Sequence, residues 1–134
     1  MQAVLDLMHD FIEDRLDVEG FISQFMDLWR QLRDEQDTAI NAQGLRADLD
    51  ALAQKLTKGE LNTETYHHQW QVLVNKVEGV TVPIGSSIDQ ILSHLFVEAG
   101  AYVADPELRE PYEIDEVQLR TEVKKSYTEM MNIL

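Results

Sequence analysis

The sequence predicts an all-α protein, an antiparallel helical bundle of five or six helices in a single domain covering residues 1–134. Apolar residues recur at intervals of three and four along most of the chain, and no stretch alternates apolar with polar residues as a half-buried strand would. Size agrees: 134 residues, 44% of them apolar, can bury about two-thirds of the unfolded surface in one core.

Each element has its own signal. Val4, Leu5, Met8, Phe11 and Ile12 form the first stripe, which stops near Arg15. Asp17 is the expected N-cap of the second helix, since a short carboxylate can accept an orphan amide of the first turn. That helix turns Phe21, Phe25, Leu28, Trp29 and Leu32 inward. Leu45, Leu49, Leu52 and Leu56 make a narrower third stripe ending at Lys58-Gly59. Asn62 is the expected cap of a fourth helix with Tyr66, Trp70, Leu73 and Val77 inward. Gly79 to Gly85, with Pro83 inside, reads as a loop.

Ser86 or Ser87 opens the clearest helix, with Ile88, Ile91, Leu92, Leu95, Phe96, Ala99, Tyr102 and Val103 on one side. Asp105-Pro106 ends it and leaves room for one further helical turn before Pro111. Asp115 and Gln118 have the spacing of a capping box for the last helix, which turns Leu119, Val123, Tyr127 and Met130 inward. There is also an echo: Leu16 to Phe25 parallels Leu61 to Trp70 at an offset of 45 residues. Either two helices start with the same chemistry, or a helical hairpin is duplicated; one echo does not establish a solenoid.

Charge speaks about partners. Twenty-five acids against eleven Lys and Arg give a net charge of −14. Nucleic-acid binding needs clustered cations, and an anionic membrane would repel this chain. A cationic protein surface is the favoured partner. Residues 1–37 hold ten acids and three bases, residues 98–122 eight and two, and the middle is nearly neutral. Cysteine is absent, which excludes disulfides and fits a reducing compartment. No signal peptide is expected, because acids appear by Asp6 without a basic start, and no apolar run is long enough to span a bilayer.

Sites of chemistry are weak. Glu64 and His67 have the Glu-x-x-His spacing of di-iron bundles, but those need two such pairs and two further glutamates. His67 and His68 diverge by about 100° on a helix, which makes shared ligation awkward. His9 and His94 have no evident nucleophile partner. Asp48-Leu-Asp50 lacks the glycine and late glutamate of a calcium loop, and Gly79 to Ser87 lacks the lysine of a phosphate loop. Acid–base carboxylates would need burial, whereas the acids here crowd into turns. No metal, cofactor or catalytic activity is expected.

The segment Phe96 to Glu122 is the informative one, with eight carboxylates against two arginines between Glu98 and Glu122 and two prolines stiffening the backbone. Asp105 and Asp115 suit helix caps, and Glu107 and Glu116 suit the positive end of a helix. Glu98, Glu110, Glu113 and Glu122 are left over. Tyr112 follows Pro111 in this acidic loop and is either exposed, as rigid aromatic rings at interfaces are, or tucked as a lid on the bundle.

The Asp-Pro-Glu-Leu-Arg turn from Asp105, the Tyr-Glu-Ile-Asp-Glu turn from Tyr112 and the Leu-x-x-x-Val helix from Leu119 together resemble the colicin D-type immunity proteins. Similar self-protection proteins accompany contact-dependent growth inhibition toxins. Leu16 to Arg33, with Glu19-Gly-Phe21 followed by Phe25 and Trp29, is similar to that family's opening helices. The simplest members are shorter four-helix bundles, so residues 38–85 read as an inserted helical pair.

The resemblance implies a cytoplasmic protein that binds the C-terminal nuclease domain of a cognate bacterial toxin, often one that cleaves tRNA. Acidic side chains would plug its basic cleft where RNA phosphates lie. Asp105 and Glu107 match the family's interaction segment best, followed by Glu98, Glu110, Tyr112, Glu113, Asp115 and Glu116. No direct contact with nucleic acid or membrane is implied. The alternative is a non-catalytic helical adaptor or scaffold for another basic protein.

Overall fold

The computed structural model describes residues 1–134 and contains six α-helices and no strand. They are α1 (Gln2–Ile12), α2 (Val18–Ala42), α3 (Arg46–Thr57), α4 (Thr63–Val74), α5 (Ser87–Gly100) and α6 (Glu116–Ile133). No helix is long and apolar enough to cross a membrane.

The caps are where the sequence places them. Asp17 Oδ1 accepts from Gly20 N at 2.7 Å, and Asn62 Oδ1 accepts from Thr65 N at 2.8 Å. Both segments of the echo therefore start a helix with a side-chain cap. At α6 the box is complete: Gln118 N donates to Asp115 Oδ1 (2.8 Å), and Asp115 N donates to Gln118 Oε1 (3.0 Å). Helix α2 departs from expectation. Its apolar stripe ends at Leu32, yet it runs 25 residues to Ala42. Between Gly20 and Gly44 there is no proline or glycine to stop it.

The chain divides into two compact units. The first holds Met1–Gln31 and Ser87–Leu134, in which α6 packs against both α1 and α5. Its fully buried side chains include Met8, Phe11, Phe21, Phe25, Leu95, Leu119, Val123 and Met130. Phe11 stacks on Phe21 with ring centroids 4.5 Å apart, Phe21 on Phe25 at 5.7 Å, and Trp29 on Phe96 at 4.0 Å. Offset aromatic pairs add about 0.5–1.5 kcal/mol each beyond the area they bury.

The second unit, Leu32–Ser86, contains the end of α2 and the α3–α4 pair. Ile40, Val74, Val77 and Ile84 form its core, flanked by Leu45, Leu49, Trp70 and Val80. Val77 is inward as its spacing predicts, though α4 stops at Val74 and it lies in the following loop, which also contributes Val82 and Ile84 to the interior. Polar side chains of α2, and of Gln43 just after it, hold the backbone of this loop. Buried Gln36 donates to Val82 O (2.8 Å), Gln43 exchanges bonds with both backbone groups of Glu78, and the Glu35 carboxylate accepts from Thr81 N and Oγ1. Gly85 has a positive φ of 75°, and a Cβ there would stand 2.4 Å from Gln71 Oε1. Only glycine fits.

One further expectation needs correcting. Tyr102 and Val103 are not on the inward face of α5, because the helix ends at Gly100. Their backbone pairs with Ile114 instead. Asp105-Pro106 likewise opens a single turn and no further helix.

Candidate functional site

Beyond Gly100 the chain peels away from α5. Val103 N donates to Ile114 O (3.0 Å) and Ile114 N donates to Ala101 O (2.9 Å), so Tyr102 and Ile114 form a parallel bridge. These bonds close the neck of an Ω-loop spanning residues 103–113.

Two proline turns fill the lobe. Asp105-Pro106-Glu107-Leu108 is closed by Leu108 N donating to Asp105 O (3.1 Å), and Asp105 Oδ1 accepts from Glu107 N (3.0 Å). Glu110-Pro111-Tyr112-Glu113 is closed by Glu113 N donating to Glu110 O (3.0 Å), and Glu113 Oε1 accepts from Glu110 N (2.7 Å). Proline at the second position presets the dihedral that such a turn requires.

Arg109 lies between the turns and points inward. Its guanidinium donates to Val103 O through Nη2 (2.8 Å) and Nε (3.1 Å). The lobe's one cation is half-buried against carbonyls, while Leu108 is 72% and Tyr112 77% exposed.

The carboxylates sort into three kinds. Glu113 and Asp115 are half-buried and serve the backbone of the second turn and the α6 cap. Glu98 and Glu122, on the helices outside the lobe, both face His94, at 3.9 and 3.5 Å from its Nε2. His94 and Glu122 also line an open groove of about 490 Å³ between α5 and α6. Asp105, Glu107 and Glu110 are exposed on the lobe, and the carboxylates of Glu107 and Glu110 make no bond within the chain. Of the acids left over by capping arguments, only Glu110 remains without a structural task.

Acids from the other end of the chain extend the negative surface, and the sequence alone did not single them out. Helix α1 ends with Asp14 in the left-handed region (φ 60°), its N–H bonded to Phe11 O and that of Arg15 to Asp10 O. This is a Schellman closure with aspartate where glycine is usual. The Asp14 carboxylate meets Arg120 of α6 at 3.2 Å, and Glu116 meets the same guanidinium at 2.9 Å. Arg120 also donates to Phe11 O and lies 4.2 Å above the Phe11 ring centre. Asp14, Asp17 and Glu116 consequently line one concavity beside the lobe's return to α6. Burial pushes the Tyr102 hydroxyl above its ordinary pKa; the charges of Glu19 and Glu116 add to this and Arg109 opposes it. Their shared influence on Tyr102 brings α2, the lobe and α6 into one electrostatic neighbourhood.

Elsewhere, Glu64 and His67 are both exposed on α4, and no group of three or more His, Asp or Glu is arranged to hold a metal ion. The lobe thus presents exposed carboxylates beside exposed apolar side chains on a helical frame.

The chain belongs to the bacterial self-protective colicin-like immunity family, whose family model matches residues 51–130, more than half of the sequence. The match begins inside α3 and takes in the whole lobe and most of α6. Comparison with individual curated proteins and with solved structures gives no match. Membership implies a cognate toxin as binding partner.

Proposed function

We propose that this chain protects the cytoplasm by plugging the basic active-site cleft of a toxin nuclease domain, an RNase that cleaves tRNA, with the acidic lobe. Inhibition is stoichiometric and requires no catalysis by the immunity protein. The observation that carries this reading is the pre-closed Ω-loop with Asp105, Glu107 and Glu110 exposed on it. Backbone bonds and two prolines fix these carboxylates before binding, which lowers the ordering cost of association. Carboxylates on such a frame can stand where phosphates of the RNA would lie.

Asp105→Lys with Glu107→Lys should weaken toxin binding by about 3 kcal/mol or more, roughly a hundredfold in Kd, if both charges are desolvated in the complex. Folding should hardly change, since both side chains are exposed. Co-expression with the product of the gene immediately upstream reads the outcome as loss of protection. Full protection by the folded double variant would overturn the assignment of the lobe.

A further inference from the structure

Large apolar side chains left in water are unevenly placed. Of those half exposed or more, Met131, Ile133 and Leu134 lie at the chain's end, and the other four, Val97, Leu108, Tyr112 and Val117, fall between α5 and the first turn of α6. Leu108 is 72%, Tyr112 77% and Val117 73% exposed. The charge crowding explains none of them. Turn chemistry requires neither a leucine at the end of the first proline turn nor a tyrosine inside the second. Arg109, which could have covered an apolar neighbour, is directed to the carbonyls of Val103 and Ala104.

We propose that Leu108, Tyr112 and Val117 are anchors that seat in apolar recesses of the cationic partner, bordered by the basic surface that receives the lobe's carboxylates. This rests on the reading of the lobe as the toxin-binding element. The lobe then has two separate roles. Exposed carboxylates select and steer a cation-rich surface, acting on the association rate. Desolvated apolar anchors hold the complex, acting on the dissociation rate, as buried aromatic and aliphatic side chains at interface centres do. A second copy of this chain is a poor occupant, because the same carboxylates would meet face to face and the net charge is −14. The partner's recesses should therefore lie beside its lysines and arginines.

The test measures association and dissociation rates of the full chain with the upstream gene product, carrying a substitution that inactivates the toxin, at low and high salt. Leu108→Ala, Tyr112→Ala and Val117→Ala should each speed dissociation by roughly tenfold or more. Association and its salt dependence should stay as in the parent. Asp105→Lys with Glu107→Lys should do the reverse, slowing association and flattening its salt dependence. Val72→Ala, an exposed valine on α4 (49%), serves as control and should change neither rate. Unchanged dissociation in the three alanine variants, with association still lost in the charge variant, overturns the anchors and leaves the lobe standing. No effect from either set overturns the lobe itself. Self-association of the parent that Tyr112→Ala abolishes, with toxin kinetics untouched, overturns the choice of partner.

Discussion

Asp14 shows how a single side chain can be worth a strained backbone. An L residue in the left-handed region costs on the order of 1 kcal/mol relative to glycine. The carboxylate offsets this through Arg120, but at 84% exposure such an ion pair contributes no more than about 1 kcal/mol. Asp14→Gly should therefore leave stability within about 1 kcal/mol of the parent, while Asp14→Ala should fall below the glycine variant by about 1 kcal/mol; urea unfolding would read both. Tyr102 gives the pH counterpart. Its folded pKa is raised, so the unfolded chain ionises first as pH rises past the ordinary value near 10. The contribution is fully present below that value and is lost as pH climbs through the folded pKa. Tyr102→Phe should show a shallower loss of stability above about pH 10 than the parent, and identical slopes would remove Tyr102 from the account.

Among the elements, helices were the legible part. Caps at Asp17, Asn62 and Asp115 are local chemistry, and each forms the bond its residue type requires. Chain continuation was less legible: past Leu32 the apolar stripe of α2 gives way to Glu35 and Gln36, which with Gln43 just beyond the helix bind a loop some forty residues away in sequence. Polar residues that serve a distant backbone carry no periodic signature. The same holds for Val82 and Ile84, buried on that loop. Gln36→Leu should leave Val82 O without its partner and lower stability by about 1–3 kcal/mol. Gln43→Ala, on an exposed pair of bonds, should have the smaller effect in the same denaturant titration.

Across the whole molecule, charge predicts behaviour that no single contact does. Salt should stabilise the free protein, because screening relieves repulsion among twenty-five acids against eleven cations. The complex should respond oppositely, with association slowing by tenfold or more between about 0.05 and 0.5 M salt. A melting temperature that falls with salt would argue that repulsion is not what limits the free chain. The acidic character of the site was readable from composition and turn residues. The fate of each acid was not. Glu98 meets His94 one turn along α5, but Glu122 reaches it only through α5–α6 packing, and Asp14 joins Glu116 only because Arg120 crosses to α1.

The neck at Tyr102 and Ile114 is made by main-chain atoms, so it places few demands on the side chains beyond it. Substitutions at the tips of the two turns can accumulate without disturbing α5 or α6. A lineage could thereby retune its recognition of a changing adversary one tip residue at a time, keeping the inherited scaffold.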